Sequence, residues 1–286
     1  MKARLLPSHK LSQEAHRELR EQLDQFYSAA LDYTAFQAPS DQRNCWEHVV
    51  ACIRQRRQDR SSGPRLRVLE VGAGRTGFGR YLRESNLRDA VEFHAHDVTR
   101  YNEDWLQSEA DESFLGDILT VRLRQGYDIV FSTYVFEHVT DPTAHLEKIW
   151  SLLGEGERGG DLFIFSPRYD LPGYLCPSAR HLSMWPWLKF AVQAGWARLC
   201  AFLWRKPQFL IQTDLAAFHG PFYLDSDAVH WVSVRDLRIW AARHQAIFRT
   251  HRIGNPGFPS KDWLIKRLCT AAVQISKPPR PAEISR

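Results

Sequence analysis

Cysteine is scarce and scattered. The five thiols, Cys45, Cys52, Cys176, Cys200 and Cys269, are odd in number and form no Cys-x-x-Cys pair, which argues against a disulfide framework and against a thiolate zinc site. Glycine and proline, 16 and 15 of 286 residues, follow no period, and no internal repeat or low-complexity tract occurs, so collagen-like and solenoid classes are excluded. The amino-terminal segment lacks the unbroken apolar stretch of roughly 7 to 15 residues that a secretion signal needs. A reducing cytoplasm is therefore the expected compartment. What is present is a globular composition, 44% apolar and 25% charged with 12% aromatics, enough for one full-sized core plus an elaboration.

The net charge of +5 hides an asymmetry. Residues 1–63 carry 10 basic and 8 acidic side chains, residues 64–170 carry 12 and 19, and residues 171–286 carry 16 and 6 together with seven of the ten tryptophans. The last third is basic and aromatic, a surface suited to an anionic partner.

Apolar residues at steps of three or four (Leu11, Ala15, Leu19, Leu23, Phe26, Ala30) predict a helix over 12–30, and a second is expected over 41–58 beyond the breaker Pro39-Ser40. These two form an expected helical cap, residues 1–63, with the basic stretch from Arg54 as the solvated end of the second helix. From Arg65 short apolar runs alternate with helical stretches. Strands are predicted over 67–71, 91–96, 128–132 and 161–166, with helices over 77–84 and 143–153. A parallel doubly wound α/β sheet follows, its core in residues 64–169. Residues 233–286 supply a further helix in SVRDLRIWAARHQ and strands over 246–253 and 270–276 at the sheet edge. Residues 170–232 break the alternation and read as an insertion, placed outside the carboxyl ends of the strands where a ligand sits.

The segment Val68-Leu69-Glu70-Val71-Gly72-Ala73-Gly74-Arg75-Thr76-Gly77 ends a strand in glycines and opens a helix, which allows a tight turn and close approach of backbone to a ligand. A strand-to-helix turn with no ligand has the same pattern. The second strand ends in Asp97, 23 residues after Gly74, where a carboxylate can accept both ribose hydroxyls. Asp117 in FLGDIL is suited to an adenine amino group, with Ile118 or Leu119 packed on the ring. YDIVFSTYVFEHVTDP then places Ser132, Glu137 and His138 at the mouth of the next strand.

Together these segments resemble the class I S-adenosylmethionine-dependent methyltransferases, most closely the small-molecule and glycan branch (type 11/12-like), whose fourth strand is followed by Glu-His-Val and a proline. Glu70-x-Gly72-x-Gly74 matches the first motif, Asp97 the ribose acid, Gly116-Asp117-Ile118 the adenine motif and Phe136-Glu137-His138-Val139 the motif after the strand. Thr76 stands at the third glycine, with Gly77 one position late. The resemblance implies a Rossmann-like, mainly parallel seven-stranded sheet; it does not cover the helical cap or the helical insertion after the fifth strand, which are read from the pattern of elements alone. It also implies S-adenosyl-L-methionine as cofactor, bound by Glu70, Gly72, Gly74, Asp97, Asp117, Ile118 and Ser132. The competing reading is an NAD(P)- or flavin-dependent oxidoreductase, since Gly72, Gly74 and Gly77 satisfy Gly-x-Gly-x-x-Gly, but the GDIL and EHV segments have no role in such an enzyme. A non-catalytic cofactor-binding protein is a third reading.

Methyl transfer to a hydroxyl needs alignment and removal of a proton. His138 is the first candidate base, and His219 and His230 are the others; each is also readable as a packed or surface histidine. No His, Asp and Glu cluster at metal-ligand spacing stands out, Asp225 and Asp227 beside His230 being the nearest approach, and no metal is expected. Between Trp185 and Trp204 fifteen of twenty residues are apolar, yet Lys189, Gln193 and Arg198 interrupt the run, which argues against a bilayer span. On a helical wheel Val192, Trp196, Leu199, Phe202 and Leu203 share one face. That face suits either an interfacial helix with weak membrane-surface association or a lid packed on the cofactor domain. The expected reaction is O-methylation of a small molecule, sugar or lipid-linked glycan, by a cytoplasmic enzyme placed at the inner face of the membrane if the helix is interfacial. Nucleic acid is not an expected partner, because no Asn/Asp-Pro-Pro-aromatic run follows the fourth strand.

Overall fold

A computed structural model describes residues 4–28, 42–59, 63–155, 159–171, 174, 176–214, 226–253 and 268–278. Its centre is a seven-stranded sheet. Five parallel strands, β2 (Leu66–Val71), β3 (Val91–Asp97), β4 (Glu112–Leu115), β5 (Ile129–Thr133) and β6 (Asp161–Pro167), are joined by β9 (Ile247–Thr250) and β10 (Thr270–Ser276). The spatial order is β4-β3-β2-β5-β6-β10-β9, with β10 antiparallel to both neighbours. Strands buried on both faces need continuous rather than alternating apolar runs. Every residue of β5 is buried, as is all of β2 except Arg67.

Helices cover both faces. On one side α2 (Arg43–Gln58), α3 (Phe78–Glu84) and α4 (Glu103–Glu109) bury Trp46, Ile53, Phe78 and Leu106 against Val68, Phe93, Phe131 and Phe163. On the other, α5 (Pro142–Leu152) and α7 (Val234–Arg243) bury Leu146, Ile149, Leu237 and Trp240 against Leu69, Val130, Leu162 and Val273. Asp141 caps α5 by accepting the Ala144 N–H at 3.1 Å, and Ser233 caps α7 through Asp236 N–H at 3.2 Å.

The basic end of α2 is not wholly solvated, contrary to expectation. Arg56 is buried and its guanidinium donates to Asp161 Oδ2 at 2.8 and 2.5 Å, fastening the helix to the start of β6.

The region after β6 is more than helical. It holds α6 (Met184–Trp204) and two short strands, β7 (Leu210–Gln212) and β8 (His230–Trp231), and β7 pairs with an amino-terminal strand, β1 (Leu5–Pro7), in a second sheet ordered β1-β7-β8. The amino-terminal residues and the insertion thus share a core of Leu5, Phe190, Ala194, Ala197, Leu210 and Trp231. Strands of two and three residues leave no periodicity to read, so this sheet was not predicted.

Of the two readings of the large apolar face of α6, the packed lid is not the one seen. Phe190, Ala194, Ala197, Cys200 and Ala201 point inward, while Val192, Trp196, Leu199, Phe202 and Leu203 are exposed. Small side chains let the helix lie close to the protein. Arg198 is the polar exception on the packed side: its guanidinium donates to Asp236 Oδ2 at 2.7 Å, and the Asp236 carboxylate also accepts Gln208 N–H at 3.0 Å.

Candidate functional site

The turn after β2 opens the site. Gly72 and Gly74 have φ of +69° and +53°, a region that costs little only for glycine. A Cβ on Gly72 would also lie 2.5 Å from Val135 Cγ2, so this position tolerates no side chain. Gly74 N–H donates to Asp97 Oδ2 at 2.7 Å, and Ala73 N–H to the His96 carbonyl at 2.8 Å, so the turn is tied directly to the end of β3. Thr76, where the resembling motif has a glycine, uses its side chain: Oγ1 accepts Phe78 N–H at 3.0 Å at the start of α3, while its backbone carbonyl accepts the Trp105 indole N–H of α4 at 2.7 Å.

Four buried polar atoms on the central strands have no hydrogen-bond partner among the described residues: Glu70 Oε2 on β2, His96 Nδ1 on β3, and Ser132 Oγ and Thr133 Oγ1 on β5. Burial pushes the Glu70 carboxyl up to about 8. A buried acid and a hydroxyl left unsatisfied beside a glycine turn fit a polar ligand there.

A mainly apolar cavity of about 140 Å³ lies at the carboxyl edge of the sheet, lined among others by Gly72, Asp117, Ile118 and His138, with Arg20 and Tyr27 of α1 (Gln13–Ser28). Asp117 Oδ1 accepts Leu119 N–H at 2.9 Å, and its Oδ2 receives the Arg20 guanidinium at 2.9 Å, so α1 closes over the expected adenine position. Asp24 stands beside it; burial, and then the Asp117 charge, raise its carboxyl above the ordinary range.

His138 sits in a three-residue helical turn, Phe136–His138, after β5. Its Nδ1 lies 3.3 Å from Asp227 Oδ2, and the same oxygen accepts the Tyr27 hydroxyl at 2.7 Å. Asp227 is 1% exposed. The turn is held rigidly, because Glu137 is fully buried, its Oε2 accepts Ser166 Oγ–H at 2.9 Å and its carbonyl accepts Val229 N–H at 2.9 Å. Tyr134, just upstream, has φ of +57°, which costs energy for a residue bearing a Cβ and marks a strained corner at the site.

His230 is placed elsewhere. It is fully buried outside the cavity lining, Nδ1–H donates to the Phe136 carbonyl at 2.9 Å, and burial depresses its pKa to about 3. Such an imidazole is neutral and weakly basic. His219 and Asp225 lie outside the described residues. Among the described residues no group of three His, Cys, Asp or Glu could hold a metal ion. The sequence did not point to Arg20, Asp24 or Tyr27, and it pointed to Asp227 only as a neighbour of His230, not of His138. The first three share one face of α1 at spacings of four and three, beside the apolar stripe, and that mixed face was the available signal.

The methyltransferase domain family matches residues 16–216 of the chain. No curated protein matches significantly. Among solved structures, the Burkholderia thailandensis 1,6-didemethyltoxoflavin-N1-methyltransferase, with 1,6-didemethyltoxoflavin and S-adenosylhomocysteine bound, is similar over 97% of this chain and 96% of its own, at TM-score 0.54 and 12% identity. The plantazolicin methyltransferase BpumL with S-adenosylhomocysteine is similar over 93% and 99%, at TM-score 0.51 and 10% identity. At these identities the likeness is one of fold.

Proposed function

The chain belongs to the S-adenosylmethionine-dependent methyltransferases of Rossmann-like fold, and from that premise we propose that it methylates an oxygen of a small molecule, sugar or lipid-linked glycan, with His138 as the base. The observation that carries this reading is that His138 and Tyr27, which line the cavity together with Gly72, Asp117 and Ile118, both approach the buried Asp227 carboxylate behind it.

When bound, S-adenosylmethionine supplies an electrophilic methyl group on a sulfonium. Glu70, Gly72 and Gly74 would hold its methionine end, Asp97 the ribose, Asp117 and Ile118 the adenine, with Ser132 offering a further hydroxyl from β5. Arg20 fixes the Asp117 carboxylate and α1 excludes water from that side. The acceptor hydroxyl loses its proton to His138 as the new C–O bond forms and the C–S bond breaks. A carboxylate beside Nδ1 favours the tautomer with the proton on that nitrogen, which leaves Nε2 as the basic atom and stabilises the ring once it is charged. Tyr27 in turn fixes the carboxylate. The enzyme on this reading works in the cytoplasm and meets its acceptor at the inner face of the membrane.

A radiolabelled methyl-transfer screen over sugars, lipid-linked glycans, phenols and RNA, followed by mapping of the methylated atom, tests the proposal. An ether product supports it; methylation at nitrogen or carbon overturns it. Asp97→Ala should cost about 1 to 3 kcal/mol of cofactor affinity, the usual loss for hydrogen bonds to a charged acceptor.

A further inference from the structure

Helix α6 turns its large apolar side chains outward. Val192, Trp196, Leu199, Phe202 and Leu203 are between 45% and 64% exposed, and Trp185 and Trp204 near its two ends are 73% and 65% exposed. A contiguous patch of this kind is unusual on a protein surface that meets only water. No acidic residue occurs from Arg180 to Thr213, while Arg180, Lys189, Arg205 and Lys206 are exposed.

The flank of this helix is a cationic pocket. A cavity of about 340 Å³ is lined by Arg168, Asp170, Arg198, Val234, Arg235 and Arg238. Asp170 engages Arg168 at 2.6 Å and Asp236 engages Arg198 at 2.7 Å. Arg235 instead lies over the Phe202 ring at 5.1 Å and Arg238 over the Phe248 ring at 5.2 Å, and neither forms an ion pair among the described residues. The pocket therefore keeps two uncompensated guanidinium groups, one of them stacked on the edge of the apolar face.

We propose that this face docks on an anionic lipid bilayer, with α6 lying in the plane of the interface and the Arg235–Arg238 pocket taking a lipid phosphate. The arrangement matches the surface on both counts, apolar side chains for the acyl boundary and cations for the headgroups. A second copy of the chain is a poor occupant, because face-to-face pairing would bring two sets of like charges together. The helix does not cross the bilayer: no helix of the described residues is long and apolar enough. The inference rests on the reading of an enzyme that meets its acceptor at the membrane, and it names the surface that does so.

Sedimentation with phosphatidylcholine vesicles, with and without phosphatidylglycerol, at low and high salt tests it, alongside light scattering for oligomeric state. Expected is salt-sensitive binding to the anionic vesicles alone, weakened about tenfold or more by Arg235→Glu with Arg238→Glu and likewise by Trp196→Ser with Phe202→Ser. Both double variants should keep the wild-type melting temperature and affinity for S-adenosylhomocysteine, since none of the four side chains packs in the core. Equal binding to neutral vesicles, no binding at low salt, or a dimer dissolved by Trp196→Ser with Phe202→Ser would overturn the proposal. Vesicle binding by a protein that methylates no oxygen acceptor would leave the docking face standing and remove the O-methylation reading.

Discussion

Asp227 Oδ2 accepts the Tyr27 hydroxyl at 2.7 Å while lying 3.3 Å from His138 Nδ1. Three distant stretches of chain meet in that contact: helix α1, the turn after β5 and the residues leading into β8. Burying a carboxylate to 1% exposure is expensive unless it is hydrogen-bonded and charge-compensated, and here both partners face the same cavity. The contact thus closes the amino-terminal helix over the site and polarises the proposed base.

His138→Ala should lower kcat by about 10²- to 10⁴-fold with cofactor affinity unchanged, the range for loss of a positioned base. Asp227→Asn keeps the shape and removes the charge. Because the carboxylate orients the ring, that variant should lower kcat with cofactor affinity unchanged, and Tyr27→Phe should do so less. A kcat unmoved by Asp227→Asn would remove the carboxylate from the mechanism.

Glu70 gives a second test. Burial raises its carboxyl to about 8, against an ordinary value of 4.5, so the folded protein holds a proton that the unfolded chain releases across that interval. Its contribution to stability is fully present below about 4.5 and is lost as pH rises toward 8. Glu70→Gln should therefore match wild type in melting temperature at low pH and exceed it progressively up to pH 8. If the cationic end of the cofactor approaches this carboxyl, binding should also release a proton near pH 7. Calorimetry in buffers of different ionisation enthalpy reads that release, and Glu70→Gln should abolish it.

The sheet was legible because its strands are long, apolar and separated by helices: the expected bounds of Thr270–Ser276 coincide with β10, and those of β2, β3, β5 and β6 differ by a residue or so. The glycine turn and Asp97 were legible as positions because they end β2 and β3; Asp117 was read from the Gly116-Asp117-Ile118 segment, since the four-residue β4 before it was too short to be predicted. Tyr27 and Asp227 were not, since they are 200 residues apart and meet only through the second sheet, whose strands are too short to carry a pattern. The orientation of α6 was left open between two readings for a different reason. Burial there selects small side chains such as Ala194 and Ala197, and a wheel weighted by hydrophobicity points to the opposite face.

Gly72→Ala should destabilise the protein by about 1 to 3 kcal/mol and weaken cofactor binding, because φ of +69° strains an alanine and its Cβ would clash with Val135. The two causes separate by double-mutant cycle. Val135→Ala in the Gly72→Ala background should recover the part due to the clash and leave the part due to backbone strain. Denaturant titration of the four proteins measures both. Full additivity would mean that the Val135 contact plays no part.

Arg56 and Asp161 fasten α2 to the start of β6. Burial alone would raise the Asp161 carboxyl, but the Arg56 guanidinium, with hydrogen bonds from Ser276 and Gln274, holds it below the ordinary range. A depressed acid contributes stability that is present above its unfolded value, about 3.8, and is lost as pH falls through the lower folded value. Replacing Arg56 leaves the Asp161 charge buried without a cation, and replacing Asp161 leaves Arg56 only the longer contact with Asp128 at 3.9 Å. Arg56→Ala or Asp161→Ala should accordingly cost about 3 to 5 kcal/mol at neutral pH. Substituting both as Arg56→Met with Asp161→Asn should cost far less than the sum, since no lone charge remains and Gln274 and Ser276 keep a polar partner. The pair lies at the amino end of β6, away from the cavity, so affinity for S-adenosylhomocysteine should survive in whatever fraction stays folded. Single variants that melt like wild type would show that α2 is held by its apolar face alone, through Trp46, Val49, Val50 and Ile53.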